Sequence, residues 1–183
     1  MRVISGLARG TKLKTIESNT TRPTLDRVKE SLFNILQDKI KGAVVLDLFA
    51  GSGALGIEAL SRGAQRAYFC DKNLDATKII KENLIKTRLL DRALIFNDDY
   101  INAIRKIKDK LSLIFLDPPY KLDFAANAIK ELLKQNLITK DSLIIIETDE
   151  IDRDIEEVQK IENIEIIDKR KYGRANLIFI KLA

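Results

Sequence analysis

Apolar residues recur along this chain with two different periods, and the alternation between those periods predicts an α/β fold. From residue 43 onward, short continuously apolar runs trade places with longer stretches that are apolar on one helical face. Val44-Val45-Leu46-Asp47-Leu48-Phe49 reads as a strand, followed by a glycine-rich loop and a helix ending at Gly63. Ala67 to Cys70 is a second strand, ending at Asp71 and leading to a helix over about residues 74–88. Ala93 to Phe96 is a third strand, before a helix near 100–109; Leu113 to Leu116 is a fourth, before a helix over about 123–135; Leu143 to Ile146 is a fifth. Strands without polar alternation are those covered by helices on both faces, as in parallel sheets.

Both ends depart from this rhythm. Ile164 to Ile167 and Leu177 to Ile180 are separated by Lys169-Arg170-Lys171-Tyr172-Gly173-Arg174, too short for a crossover helix, so they form an antiparallel hairpin at the sheet edge. Residues 2–5 and 11–16 read as two short strands joined by Gly6-Leu7-Ala8-Arg9-Gly10, with Lys12 and Lys14 on the face opposite Leu13. A helix then starts at Pro23-Thr24, with Thr24 as N-cap, Asp26 in its first turn, and Leu25, Val28, Leu32, Phe33 and Leu36 as its apolar face. The expected division is a basic hairpin extension over 1–22 and a main domain over 23–183. The expected fold is a Rossmann-like sheet of five parallel strands plus a C-terminal antiparallel hairpin.

Composition narrows the chemistry. At 183 residues, 45% hydrophobic and 32% charged, the chain suits one globular domain. It has no histidine and one cysteine, Cys70, which excludes a disulfide, a cysteine or histidine metal site, and Ser-His or Cys-His catalysis. No apolar run approaches the roughly 20 residues of a membrane span, and the first residues lack a signal-peptide core, so a cytoplasmic protein with no membrane partner and no metal is expected. The formal net charge is +5, and most of it sits before residue 24, where Arg2, Arg9, Lys12, Lys14 and Arg22 face only Glu17. Such a basic end points to a polyanion contact. Lys169, Arg170, Lys171 and Arg174 form a second candidate patch, with a solvated hairpin tip as the ordinary alternative.

The loop after the first strand, Asp47-Leu48-Phe49-Ala50-Gly51-Ser52-Gly53-Ala54-Leu55-Gly56, fits G-x-G-x-x-G between a strand and a helix. Asp71 stands 20 residues after Gly51, where a carboxylate can accept ribose hydroxyls. Together these indicate nucleoside binding. A dinucleotide directs this loop at a pyrophosphate. Asp47 would repel phosphate but suits the cationic amino end of S-adenosylmethionine, with capping of the loop as its alternative role. Of Asp98 and Asp99, Asp99 is the favoured acceptor for an adenine amine, while a helix N-cap is the competing role. Candidate cofactor contacts are thus Asp47, Phe49, Ala50, Gly51, Ser52, Gly53, Asp71, Lys72, Asp99 and Tyr100.

The fourth strand runs into Asp117-Pro118-Pro119-Tyr120. Two prolines make a stiff corner that offers carbonyls and no N–H donors, Asp117 adds acceptor oxygens, and Tyr120 adds a flat ring. This corner suits an amine on a planar base, and the same strand edge carries the cofactor constellation.

With these motifs in place, the chain resembles the class I S-adenosylmethionine-dependent methyltransferases and, more narrowly, the bacterial 16S ribosomal RNA guanine-N2 methyltransferase family of the RsmD type. The likeness rests on Arg2-Val3-Ile4-Ser5-Gly6 with Arg9-Gly10; on Thr21-Arg22-Pro23-Thr24 with Asp26-Arg27-Val28, Glu30 and Leu32-Phe33-Asn34; on the 47–56 loop; on Phe115 to Tyr120; and on Tyr172-Gly173. One departure is Asp71, where the family more often has glutamate. The resemblance implies methyl transfer to the N2 amine of a guanine in 16S rRNA, within a small-subunit particle, by a monomeric enzyme. It implies Asp117, Pro118, Pro119 and Tyr120 as the catalytic motif and Arg2, Arg9, Lys12, Lys14 and Arg22 as RNA contacts. Adenine-N6 methylation of DNA or RNA, and a non-catalytic RNA-binding assembly factor of the same fold, are the alternatives.

Overall fold

The structure, a computed structural model, describes residues 1–16, 23–119 and 123–183. Its chain order is α1 (Pro23–Ile40), β1 (Val44–Asp47), α2 (Ala54–Ser61), β2 (Arg66–Asp71), α3 (Leu74–Lys86), β3 (Ala93–Asn97), α4 (Tyr100–Lys106), β4 (Leu111–Leu116), α5 (Phe124–Lys134), β5 (Ile138–Thr148), α6 (Ile151–Gln159), β6 (Ile164–Tyr172) and β7 (Ala175–Leu182). The seven strands form one sheet in the order β3-β2-β1-β4-β5-β7-β6. β1 to β5 are mutually parallel, and β7 enters antiparallel between β5 and β6. This is the expected Rossmann-like arrangement, with its order reversing between β1 and β4.

Strand alternation sorts the core into two layers. Val45, Phe69, Phe115, Ile145 and Phe179 pack with α1, α2 and α3, whereas Leu46, Tyr68, Ile114, Ile144 and Ile178 pack with α4, α5 and α6. Both faces of each central strand are therefore apolar, which explains the unbroken hydrophobic runs.

Several boundaries differ from the sequence-based reading. α1 begins at Pro23, so Thr24 falls in its first turn and not at its cap; proline suits a first helical position, whose N–H would have no intrahelical acceptor. β5 starts well before its apolar run, because the Ser142 hydroxyl donates to the Leu111 carbonyl at 2.5 Å and accepts the Thr139 N–H at 2.8 Å. α6 was not expected: Ile151, Ile155 and Val158 are its apolar positions amid acids, and only Val158 among them is fully buried. The terminal hairpin turns at Gly173-Arg174, so Lys169, Arg170 and Lys171 belong to strand β6.

At the N-terminus, residues 2 and 12 pair antiparallel through a single bridge, in place of two full strands. What holds this segment is its contact with α2 and α3. Val3, Ala8 and Leu13 join the same core layer as α1 and α2. Both oxygens of Glu58 on α2 accept backbone hydrogens, from Ile4 at 2.9 Å and Ser5 at 3.1 Å. Gly6 has φ +87°, and a Cβ there would lie 1.9 Å from the Ser61 carbonyl oxygen. The Arg2-to-Gly6 motif is thus a clamp onto α2, and its glycine is required by close backbone approach.

Candidate active site

Four central strands end the same sheet face in a carboxylate. On β1, Val45 is followed two residues on by Asp47; on β2, Phe69 by Asp71; on β4, Phe115 by Asp117; on β5, Ile145 by Glu147. Asp47 and Phe115 are aligned in register, as are Phe115 and Ile145, so the acids gather at the carboxyl edge. Period-two geometry sends each one to the side of α1 to α3, just beyond the last apolar residue of its strand.

The loop from β1 to α2 is built around two of these acids. Gly51 has φ +57° and Gly53 φ +80°, and the Gly53 N–H donates to the Ala50 carbonyl at 2.8 Å. A Cβ on Gly56 would sit 2.3 Å from the Phe69 ring, so α2 can lie this close to β2 only with glycine there. Asp47 Oδ2 accepts the Gly56 N–H at 3.0 Å, fulfilling the capping role. Its other oxygen takes no hydrogen bond from a described residue and is free for a cationic ligand. Burial drives the Asp47 pKa up to about 7, opposed by the Gly56 hydrogen bond and reinforced by Asp71. Asp71 accepts from Gly51 at 3.0 Å and from Asn73 at 2.9 Å, one bond on each oxygen. Each oxygen keeps a lone pair that can accept a hydroxyl.

A cavity of about 500 Å³ opens beside this loop, lined by Asp71, Lys72, Asp98, Asp99, Asp117 and Pro118 among others. Phe49, Tyr100 and Phe124 make one wall; their ring centroids lie 5.2 to 6.0 Å apart. Phe124, at the start of α5, escaped the sequence reading because it looks like an ordinary apolar helix position. Asp99 caps α4 by accepting the Asn102 N–H at 3.0 Å, so the N-cap role is real, and it also faces the cavity. Asp98 is held by Lys106 at 2.6 Å, and that bond keeps its carboxyl below the usual range. Cys70 is buried in the same wall, and burial pushes its thiol up to about 12, which leaves it unreactive.

A second cavity, of about 210 Å³, lies toward α1 and is lined by Leu25, Val28, Lys29 and Leu32 together with Ala50, Gly51, Ser52, Asp47 and Glu147. Phe49 and Asp117 line both cavities. Asp117 is open to water in the cleft, yet it stands among protein mass and the charges of Glu147, Asp47 and Asp149. Desolvation first, and those carboxylates second, push its pKa upward; the water that reaches it tempers the size of the shift. Pro118 and Pro119 line the larger cavity, while Tyr120 lies outside the described residues.

The basic residues of the first segment divide. Arg2, Arg9 and Lys12 are exposed and make no ion pair with a described residue. Lys14 is paired with Glu82 at 2.8 Å, and Arg22 lies outside the described residues. Lys86 of α3 donates to the Lys12 carbonyl at 2.6 Å and extends the basic strip. In the second patch, Arg170 is paired with Asp168 at 2.9 Å, whereas Lys169, Lys171 and Arg174 are exposed. Two structural residues carried no sequence signal: Lys29, buried between Glu58 at 3.3 Å and the Arg2 carbonyl at 2.6 Å, and Asn83, buried beneath the glycine-rich loop.

The family model described as "Conserved hypothetical protein 95" matches residues 1–181. The chain is 36% identical over 184 residues to the "Putative rRNA methyltransferase YlbH" of Bacillus subtilis, covering 99% of this chain and 98% of that protein. It is 38% identical over 152 residues to the "Ribosomal RNA small subunit methyltransferase D" of Haemophilus influenzae, covering 81% and 79%. Among solved structures, "Putative methyltransferase yhhF from Escherichia coli" superposes with a TM-score of 0.85 at 29% identity, over 100% of this chain and 98% of that one.

Proposed function

This chain belongs to the conserved hypothetical protein 95 family, with the ribosomal RNA small subunit methyltransferase D proteins, and we propose that it moves a methyl group from S-adenosylmethionine to the N2 amine of a guanine in 16S rRNA. The observation that carries this reading is the position of Asp117, an acid open to the point where the two cavities meet. The larger cavity suits the adenosine half of the cofactor; the smaller suits the cofactor's amino-acid end on its Asp47 and Ala50-to-Ser52 side and the target base on its α1 side, toward Glu147.

The residues fit that cofactor. Asp71 holds the ribose hydroxyls, Asp47 the cationic amino end, and Asp99 with Tyr100, Phe49 and Lys72 surround the adenine. Ala50, Gly51, Ser52 and Gly53 let the backbone approach the ligand closely. A carboxylate at Asp47 in place of an apolar residue disfavours a pyrophosphate and so a dinucleotide. S-adenosylmethionine, when bound, supplies a methyl group made electrophilic by its sulfonium.

The chain's own residues then act on the amine. An exocyclic amine is a weak nucleophile because its lone pair is delocalised into the ring. The Asp117 carboxylate and the Pro118 carbonyl each accept one amine hydrogen, turning the nitrogen toward tetrahedral geometry and aiming its lone pair. Asp117 also stabilises the positive charge that builds on the nitrogen. After transfer the spare proton passes to Asp117 or to water. Pro119 keeps the corner rigid, and Tyr120, next in the sequence, is the candidate ring for stacking on the base, a contact worth roughly 1–3 kcal/mol. The base must be unstacked to reach the corner. Arg2, Arg9 and Lys12 grip phosphates, with Lys14 beside them, and Arg22 is a further candidate for the same role.

The test is transfer of labelled methyl to small ribosomal subunits, protein-free small-subunit RNA and DNA. Label in either RNA substrate and none in DNA supports the reading. Label in DNA alone, or no binding of S-adenosylmethionine, overturns it.

A further inference from the structure

Glu147 has no structural task among the described residues. It sits one position before the end of β5, half-buried, on the face that Leu143 and Ile145 pack against α1. A charged residue continuing an apolar face usually has a partner, because burying an unpaired charge is costly. No described residue donates a hydrogen bond to Glu147 or forms an ion pair with it. Two cations line the same cavity among the described residues: Lys29 is committed to Glu58 and the Arg2 carbonyl, and the Met1 ammonium forms no ion pair with Glu147. Glu147 therefore faces the smaller cavity unpaired, beside Asp117 on the neighbouring strand and under the apolar roof of Leu25, Val28 and Leu32.

Two adjacent acceptors beneath apolar side chains select one kind of base edge. The amine of guanine is flanked on its Watson–Crick edge by N1–H, a second donor. The amines of adenine and cytosine are flanked by an unprotonated ring nitrogen, an acceptor. A carboxylate facing that ring nitrogen bonds guanine and repels the other two. We propose that Glu147 is the specificity-determining residue of this site and accepts the N1–H of the target guanine while Asp117 accepts its amine. The proposal rests on the methyl-transfer reading above and supplies what Asp117-Pro118-Pro119 lacks, since that corner grips an amine whichever base bears it. Burial disfavours a charge on Glu147, and an N1–H donor restores the ionised form by bonding to it.

The experiment uses an RNA fragment that the wild-type enzyme methylates, made with either guanine or 2-aminopurine at the target position. 2-Aminopurine keeps the amine and lacks the N1 hydrogen. The wild-type enzyme should prefer guanine by about ten- to a hundredfold in kcat/KM, the usual worth of a hydrogen bond to a charged group. Glu147→Gln, whose amide can donate to the unprotonated nitrogen, should bring that ratio close to unity while leaving S-adenosylmethionine affinity unchanged by calorimetry. A wild-type enzyme that methylates both fragments equally overturns the proposal without any variant. A ratio preserved in Glu147→Gln overturns it too, as does a tenfold loss of S-adenosylmethionine affinity, which would place Glu147 with the cofactor. In each of these cases transfer to guanine leaves the methyltransferase reading standing; failure of wild-type transfer to any RNA overturns both.

Discussion

The side-chain amide of Asn83 donates to the Ser52 carbonyl at 2.9 Å and to the Lys14 carbonyl at 2.9 Å, while its oxygen accepts the Lys14 N–H at 2.8 Å. One buried residue of α3 thus ties the glycine-rich loop to the basic N-terminal segment. Asn83→Ala removes all three bonds and strands three backbone groups, at a cost of about 2–4 kcal/mol. Thermal unfolding should show a Tm lower by several degrees, and S-adenosylmethionine should bind more weakly because the loop loses its support. Unchanged values of both would mean that water replaces Asn83 without loss.

Asp117 should dominate the chemical step. Asp117→Ala should lower kcat by at least about a hundredfold, the scale of losing a preorganised electrostatic partner, with cofactor affinity near normal. Because its surroundings raise its pKa, transfer should fall as pH drops through a value above the ordinary carboxylate range. The kcat–pH profile of the wild-type enzyme reads this directly, since the protonated acid can neither accept both roles nor stabilise positive charge.

For Asp47, burial shifts the acid from 3.8 to about 7, so the folded, ligand-free protein binds a proton that the unfolded chain releases. That contribution to stability is complete below pH 3.8 and is lost as pH rises toward about 7. Cofactor binding runs the opposite way, because only the ionised acid pairs with the ammonium. Affinity for S-adenosylmethionine should rise roughly tenfold between about pH 5.5 and 7. Calorimetry across that range should show a flat profile in Asp47→Asn.

The basic segment calls for substitutions of its charges and not for its removal. Val3 and Leu13 are 1% and 3% exposed and belong to the main core, so deleting residues 1–16 would remove core packing together with the charges. Replacing Arg2, Arg9 and Lys12 together with Ala should weaken RNA binding and reduce the slope of log K against log salt by about 2. Lys14→Ala should do less, since Glu82 already neutralises it. Equal slopes for the wild-type and triple variants would remove this surface from the RNA interface.

The physical reasons for these outcomes were unequally visible in the chain. Strands β1 to β5 were legible because double coverage makes them continuously apolar, and Asp47, Asp71 and Asp117 because each ends such a run. α6 was not, since most of its residues face solvent and only Val158 is deeply buried. The clamp of Ile4 and Ser5 on Glu58 was invisible because it joins backbone groups to an acid more than fifty positions away. Glu147 was passed over for a related reason: an acid after Leu143 to Ile146 resembles any strand end, and only the sheet register sets it beside Asp117. Lys14 looked like a free cation until α3 brought Glu82 to it.

The most direct measurement is the identity of the methylated nucleoside. Small-subunit rRNA exposed to the enzyme and labelled S-adenosylmethionine, then digested to nucleosides and separated by chromatography with mass detection, should carry its label in N2-methylguanosine. Label in N6-methyladenosine or N4-methylcytidine would contradict the account.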